Sequence, residues 1–267
     1  MLEHVDDPDD PRIAVYLGLR DHAQRQRREL PGGDRADTFV CEGDIVISRG
    51  LDAGHDLRSV LVSARRKKPL PDLPDDVSVY AAGDRLLEAV TGRPELRDPL
   101  ACFARPDPLD PAILIDQHQT FAVLEGINNP NNLGVIMRNA AALGIDAVLL
   151  DPTCGDPLYR RAIRASMGQV FAIPHARLGP FPDALDDLHR AGIATIALTP
   201  AGELELRDLE TGARTALLLG AEGPGLTDAT LDAVTTRARI HMHNDVDSLN
   251  VAAAAAIAFH QIVGGTS

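Results

Sequence analysis

Chemistry-bearing residues concentrate in three short stretches of this chain. The first is Asn128-Asn129-Pro130-Asn131-Asn132-Leu133-Gly134-Val135-Ile136-Met137-Arg138-Asn139. The second is Leu219-Gly220-Ala221-Glu222-Gly223-Pro224-Gly225-Leu226, and the third is Ile240-His241-Met242 followed by Ser248-Leu249-Asn250-Val251. The first joins the apolar, strand-like Phe121 to Leu124 to a helix. It therefore sets amides, a glycine and one arginine at a strand-to-helix junction, where open α/β sheets bind ligands. The second is a glycine turn that Glu222 and Pro224 make a poor cradle for phosphate. A carboxylate in such a turn suits a neutral or cationic ligand, although the segment read alone is also an ordinary tight turn. No Gly-x-Gly-x-x-Gly follows Leu124 and no Gly-x-x-x-x-Gly-Lys-Ser/Thr occurs, so the dinucleotide and P-loop readings lose their main support. His241 and His243 lack a third ligand nearby, and Cys41, Cys102 and Cys154 are scattered, so no metal site or disulfide framework is expected. Ser248 lacks the setting of a nucleophile elbow.

Regular alternation in the second half positions these stretches. Candidate strands are Thr120 to Leu124, Ala147 to Leu150, Val170 to Ile173, Ile193 to Leu198, Ala216 to Leu219 and Arg239 to Met242, with helical patterns between them. Short apolar strands separated by helices mean a parallel sheet covered on both faces. After Pro130, the residues Leu133, Ile136, Met137 and Ala140 share one helix face and leave Arg138 roughly opposite. A last helix is expected over Ser248 to Val263, with Ser248 placed to cap it and Ala252 to Ala256 strongly helix-forming. The first half reads as a smaller α/β unit. Arg12 to Arg28 suggests a polar helix, Phe39 to Gly43 a strand ending in a turn, and Asp44 to Leu51 a helix. Ser59 to Ser63 and Val77 to Tyr80 suggest strands, and Asp84 to Thr91 a helix. The expected boundaries are a disordered acidic tail over 1–12, a first domain over 13–105, a proline-rich linker over 106–118 and a second domain over 119–267.

With 267 residues, 45% hydrophobic and 24% charged, the chain has the composition of a soluble globular protein, with no apolar run long enough for a bilayer. Its acidic start carries no secretory pattern, and few cysteines fit a reducing cytoplasm. The net charge of −13 opposes nucleic-acid binding in bulk, but local clusters matter more than the sum. Three stand out: Arg25, Arg27 and Arg28; Arg65, Arg66, Lys67 and Lys68; and Arg160, Arg161 and Arg164. Each is equally a solvated charged face.

Together the three stretches resemble motifs 1, 2 and 3 of the SpoU (TrmH-like) branch of the SPOUT RNA methyltransferases. Motif 1 corresponds to Asn132-Leu133-Gly134 with Arg138-Asn139-Ala140, motif 2 to Leu218 through Leu226, and motif 3 to Ile240-His241-Met242 leading into Ser248-Leu249-Asn250-Val251. Arg160 to Gly168 is similar to the segment usual between motifs 1 and 2, and the match covers about residues 120 to 265. Phe39-Val40-Cys41-Glu42-Gly43, Ser59 to Ser63 and Leu86 to Gly92 resemble, more weakly, the substrate-binding domain that precedes the catalytic domain in ribosomal members. Two departures stand out: His241 replaces the motif-3 proline, and Arg93 to Arg97 replaces a His-Arg-Gly-type stretch.

The resemblance implies an S-adenosylmethionine-dependent RNA 2′-O-methyltransferase. Its fold would be a parallel-sheet catalytic domain with a C-terminal trefoil knot, behind a small α/β substrate-binding domain. It implies a homodimer in which motif 1 of one subunit approaches the cofactor of the other, with no metal. Leu198, Thr199, Leu219, Gly220, Gly225, Ile240, Met242, Ser248 and Leu249 would enclose the cofactor. Arg138 is the leading catalytic residue, supported by Asn132, Glu222, Ser248 and Asn250, and Arg65, Arg66, Arg160, Arg161 and Arg164 would contact RNA, with ribosomal favoured over transfer RNA. A guanidinium is nearly always protonated, so Arg138 is expected to orient a phosphate or the 2′-oxygen. The alternatives are a transfer-RNA enzyme, methylation of a base atom, an RNA-binding module with a vestigial cofactor site, and an ordinary nucleotide-binding α/β enzyme.

Overall fold

The computed structural model describes residues 2–19, 33, 35–91, 98–244 and 246–264. Two units divide the chain. One comprises Met1–Asp107 with Leu158–Gly168, the other Pro108–Pro157 with Gln169–Ser267.

In the first unit, strands β1 (Leu2–Val5), β2 (Thr38–Glu42), β3 (Leu57–Ser63), β4 (Ser78–Ala82) and β5 (Leu100–Ala104) form a mixed sheet in the order β1-β4-β3-β5-β2. Helices α1 (Asp44–Asp52) and α2 (Asp84–Thr91) follow β2 and β4. The acidic start is not a disordered tail. Leu2 to Val5 pairs in parallel with Val79 to Ala82, and Val5 is buried. Asp10 accepts from the Arg12 amide at 2.9 Å, and the Arg12 guanidinium reaches both Asp10 and Glu3 at 2.6 Å. Two of the five acidic residues in this start are thus engaged by one arginine. Only a 3-10 turn, Pro11–Tyr16, occupies the start of the helix expected over Arg12 to Arg28. The Arg25, Arg27 and Arg28 cluster and the Gly92 to Arg97 stretch lie outside the described residues.

The second unit is built on seven parallel strands in the order β10-β12-β9-β11-β6-β7-β8. Its elements run α3 (Pro111–Gln117), β6 (Thr120–Glu125), α4 (Pro130–Leu143), β7 (Ala147–Leu150), β8 (His175–Arg177), α5 (Leu185–Arg190), β9 (Ala194–Leu198) and β10 (Leu204–Glu205). They continue through β11 (Thr215–Gly220), α6 (Asp228–Ala233), β12 (Thr236–Arg239) and α7 (Val251–Gly264). On one sheet face Phe121, Val123, Leu149 and Leu218 pack with Leu114 and Ile115 of α3 and Leu185 and Leu188 of α5. On the other, α4 packs with α7, and α7 with β11. Leu133, Ile136, Met137 and Ala140 are fully buried, while Arg138 is exposed. Both faces of the sheet are therefore covered, as its continuous apolar strands require.

Three expectations are corrected here. The linker over 106–118 contains α3: Asp110 caps it through the Ala112 amide at 2.9 Å, and Pro111 occupies its first turn, where a missing N–H costs nothing. Val170 to Ile173 is not a strand. It falls largely in a 3-10 turn, Gln169–Ala172, and the strand is the short His175–Arg177 that follows. A short apolar run does not by itself separate a strand from a buried turn. Finally, the last strand ends at Arg239, so Ile240 to Met242 lie beyond it in a loop.

Candidate active site

Strands β12, β9, β11 and β6 are adjacent and parallel, so their C-terminal loops emerge along one edge, the usual ligand edge of an open α/β sheet. Thr199 and Pro200 follow β9, Ala221 to Gly225 follow β11, and Ile240 and Met242 follow β12. With Ser248 to Val251 they enclose a cavity of about 390 Å³. Each of the nine residues expected to enclose a cofactor lines it: Leu198, Thr199, Leu219, Gly220, Gly225, Ile240, Met242, Ser248 and Leu249.

Sequence accounts for the tight folding of this edge. The loop after β11 turns back on itself, the Gly225 amide donating to Ala221 O at 2.9 Å. A Cβ on Gly220 would lie 2.2 Å from both Gly225 C and Leu226 N, a space only glycine leaves open. The loop after β9 is pressed against β12 in the same way. The Thr199 amide donates to Ala238 O at 2.9 Å, and a Cβ on Gly202 would lie 2.4 Å from Ala238 C.

A chain of amides joins the three chemistry-bearing stretches. Asn132 is 8% exposed; its Nδ2 donates to Glu222 Oε2 at 2.9 Å, and its Oδ1 accepts from Asn250 Nδ2 at 3.0 Å. Asn250 Oδ1 accepts in turn from the Ala252 amide at 3.0 Å. Asn250 therefore caps α7, the role expected of Ser248, which instead lines the cavity. Asn129 caps α4, its Oδ1 accepting from the Asn131 amide at 2.9 Å, which leaves the Asn132 side chain for the network. Glu222 and Asn250 face the cavity. Arg138 does not line it, and among the described residues its guanidinium makes no hydrogen bond or ion pair.

Three acidic residues that the sequence reading passed over hold this edge in place. Glu125, at the end of β6, is 8% exposed and accepts from the Thr227 amide at 3.1 Å, Thr227 Oγ1 at 2.9 Å and Thr230 Oγ1 at 2.9 Å. Asp151, after β7, accepts from Thr153 Oγ1 at 2.7 Å and from the amides of Cys154 at 2.8 Å and Gly126 at 3.1 Å. Burial opposes its ionisation, but these donors outweigh burial and hold the carboxyl below the ordinary carboxylate range. At Glu205 the Arg239 guanidinium, 2.8 Å away, likewise holds the carboxyl below that range. A carboxylate after an apolar strand is the signal that could have found the first two.

Two of the five arginines expected to contact RNA are engaged within the first unit. The Arg66 side chain is 10% exposed and lies 2.6 Å from Asp44, while Arg160 lies 2.7 Å from Glu42. Arg65, Arg161 and Arg164 are exposed, though Arg65 reaches Asp84 at 2.8 Å and Arg164 approaches Glu42 at 3.7 Å. Among the described residues, no cluster of three or more His, Cys, Asp or Glu could hold a metal ion. Among the described residues, no helix is long and apolar enough to cross a membrane.

The sequence profile of the SpoU rRNA Methylase family matches residues 119–260, the stretch that carries the cavity and the amide chain. The chain belongs to this family. A tRNA/rRNA methyltransferase of Mycobacterium tuberculosis, itself uncharacterised, is 39% identical over 97% of this chain and 91% of its own length. The 23S rRNA guanosine-2′-O-methyltransferase RlmP of Bacillus subtilis is 26% identical over 86% of this chain and 90% of its own. Among solved structures, an AdoMet-bound rRNA methyltransferase from Sinorhizobium meliloti superposes with a TM-score of 0.77 at 26% identity, covering 98% of this chain and 97% of that one. An RNA 2′-O ribose methyltransferase gives a TM-score of 0.77 at 25% identity over 99% of both chains.

At position 241, where the resemblance gives a proline, the chain has His241. Ile240 and Met242 still line the cavity, while His241 Nδ1 lies 3.7 Å from Glu205 Oε1 and its ring meets that of His243 edge-on at 4.7 Å.

Proposed function

We propose that this protein is an S-adenosylmethionine-dependent RNA methyltransferase that methylates a ribose 2′-oxygen in ribosomal RNA. The observation that carries this reading is the 390 Å³ cavity, in which apolar side chains, glycine backbone and one carboxylate meet. Leu198, Leu219, Ile240 and Leu249 suit a flat heteroaromatic base, and peptide groups along Gly220 to Gly225 suit reading its edge. The Glu222 carboxylate suits a cationic sulfonium or ammonium. S-adenosylmethionine fits that combination, and when bound it supplies a methyl group already activated by positive sulfur.

Little covalent help is then required of the protein, which must align the ribose and assist its proton. Asn132, held between Glu222 and Asn250, fixes the geometry of the loop after β11 relative to the start of α7. Ser248 offers a hydroxyl at the cavity wall. Arg138, exposed and absent from the cavity of its own chain, suits a homodimer in which it serves the cavity of a second copy, orienting a phosphate or the 2′-oxygen there. Burial of the exposed Ile257 on α7 fits the same dimer. The reading carries with it a C-terminal trefoil knot, a cytoplasmic location, and a first unit that presents Arg65, Arg161 and Arg164 to RNA. Relatives named for ribosomal RNA and for 2′-O transfer support the substrate.

The test is incubation with labelled S-adenosylmethionine and separate ribosomal- and transfer-RNA fractions, followed by mapping of the methylated nucleotide by mass spectrometry. A 2′-O-methyl group in ribosomal RNA is the expected product. Label in transfer RNA alone, or on a base atom, would redirect the assignment. Tight cofactor binding with no transfer to any RNA would favour a vestigial site.

A further inference from the structure

We propose that Glu125 is a positioning residue for the cofactor loop. It rests on the reading of the cavity as a cofactor site and names a determinant of that site outside the three motifs.

The argument starts from register. Glu125 ends β6 directly beside Gly220, which ends β11, so its carboxyl sits where the loop after β11 departs. That loop supplies Ala221, Glu222, Gly223 and Gly225 to the cavity and returns through Leu226 and Thr227 into α6. Glu125 Oε2 accepts from the Thr227 amide, while Oε1 accepts from the hydroxyls of Thr227 and Thr230. Thr227 Oγ1 in turn accepts from the Thr230 amide, so the same hydroxyl that reaches Glu125 also caps α6. Both carboxylate oxygens are thus committed to one short stretch of chain. Asn132 holds the middle of the loop through Glu222, and Glu125 holds its far end. Gly126, next to Glu125, also comes close to the loop: a Cβ built on it would lie 3.3 Å from Ala221 Cβ.

Between the two holders lie Gly223 and Gly225, both in the left-handed region, at φ 93° and φ 75°, and both exposed. Glycines resist ordering, so a binding-competent loop shape has to be imposed from its ends. A buried acceptor with several donors imposes it more rigidly than a side chain on the open surface can. Glu125 touches neither the cavity nor, on this geometry, a ligand in it. Its effect reaches the cofactor through the loop.

The experiment compares wild type with Glu125→Gln, with the near-isosteric Thr227→Val and with Thr227→Ser, which keeps the hydroxyl. Two readouts are taken on the full chain: S-adenosylmethionine affinity by equilibrium dialysis, and amide hydrogen exchange without ligand. Expected are roughly tenfold weaker binding for Glu125→Gln and Thr227→Val, and near-wild-type binding for Thr227→Ser. Exchange should quicken at residues 221–227 in the two weakened variants while β6 and β9 stay protected. Unchanged loop exchange in both would overturn the proposal. Loss of protection throughout the sheet, with cofactor affinity falling only as the folded fraction falls, would make Glu125 a structural residue and overturn it too. Wild type that binds no S-adenosylmethionine would sink the cofactor reading, and loop exchange would still decide whether Glu125 holds the loop.

Discussion

Substituting Gly220 by alanine isolates the closest backbone approach at the cavity. The added Cβ would sit 2.2 Å from Gly225 C and from Leu226 N, where ordinary contact begins at 3.4 Å. Something must retreat by about 1 Å, and a close-packed interior has no such slack. Strand β11 is hydrogen-bonded to β6 on one side and β9 on the other, so it cannot be the part that moves. The loop must open, which breaks the bond from the Gly225 amide to Ala221 O and displaces the cavity wall. Overpacking of this kind costs about 1–3 kcal/mol. For a unit of this size that corresponds to a fall in Tm of roughly 3–10 °C. Cofactor affinity should fall on the order of a hundredfold, a loss at the upper end of that range, because the displaced atoms are the wall itself. Thermal unfolding by circular dichroism and equilibrium dialysis with S-adenosylmethionine read the two effects separately. Gly212→Ala, where nothing lies within 4 Å of the added atom and φ is not in the left-handed region, is the control and should change neither. A Gly220→Ala protein that binds cofactor within about twofold of wild type would refute the reasoning, since the atoms said to collide would then have found room.

Arg138→Ala should abolish methyl transfer while leaving cofactor affinity intact and stability within about 0.5 kcal/mol, because the side chain is exposed and without a partner among the described residues; near-normal transfer in a radiolabel assay would remove its assigned role. Asn132→Ala should lower turnover by more than its cost to folding, about 1–3 kcal/mol for two lost hydrogen bonds at a buried site, as read by urea unfolding beside single-turnover kinetics. A variant that simply fails to fold would make Asn132 a structural residue. For Asp151 the sign follows from a carboxyl held below its ordinary range: its stabilisation is fully present above the unfolded value, about 3.9, and is lost as pH falls through the folded value. The stability gap between wild type and Asp151→Asn should therefore be flat between about pH 5 and 7 and close below about pH 4; a gap that persists unchanged into acid would mean that the carboxylate charge contributes nothing.

The central sheet was legible because its strands are continuous apolar runs, and Ala147–Leu150 could be read to the residue. What escaped were elements whose identity comes from their neighbours. Leu2–Val5 buries only Val5 and is a strand because β4 offers an edge to pair with. His175–Arg177 is three residues long, and only one of them is buried. At the site, the motif residues on loops at the same strand edge do converge on one cavity. Spacing alone could not separate Asn129, which caps a helix, from Asn132, which bridges stretches 90 and 118 residues distant. Nor could it show that Glu42 and Asp44 engage the arginines at 160 and 66, because charge clusters in a sequence do not reveal their partners.

The amide chain through Asn132 also sets a schedule for the newly made protein. Asn132 leaves the ribosome well before Glu222 and well before Asn250, yet it is held by both. Until α7 has emerged, the start of α4 carries an amide without one of its native partners, and the cavity lacks the wall built from Ser248 to Val251. Non-local closures of this length come late in folding. A chain interrupted anywhere before residue 250 thus lacks part of the cavity wall and one end of the amide chain.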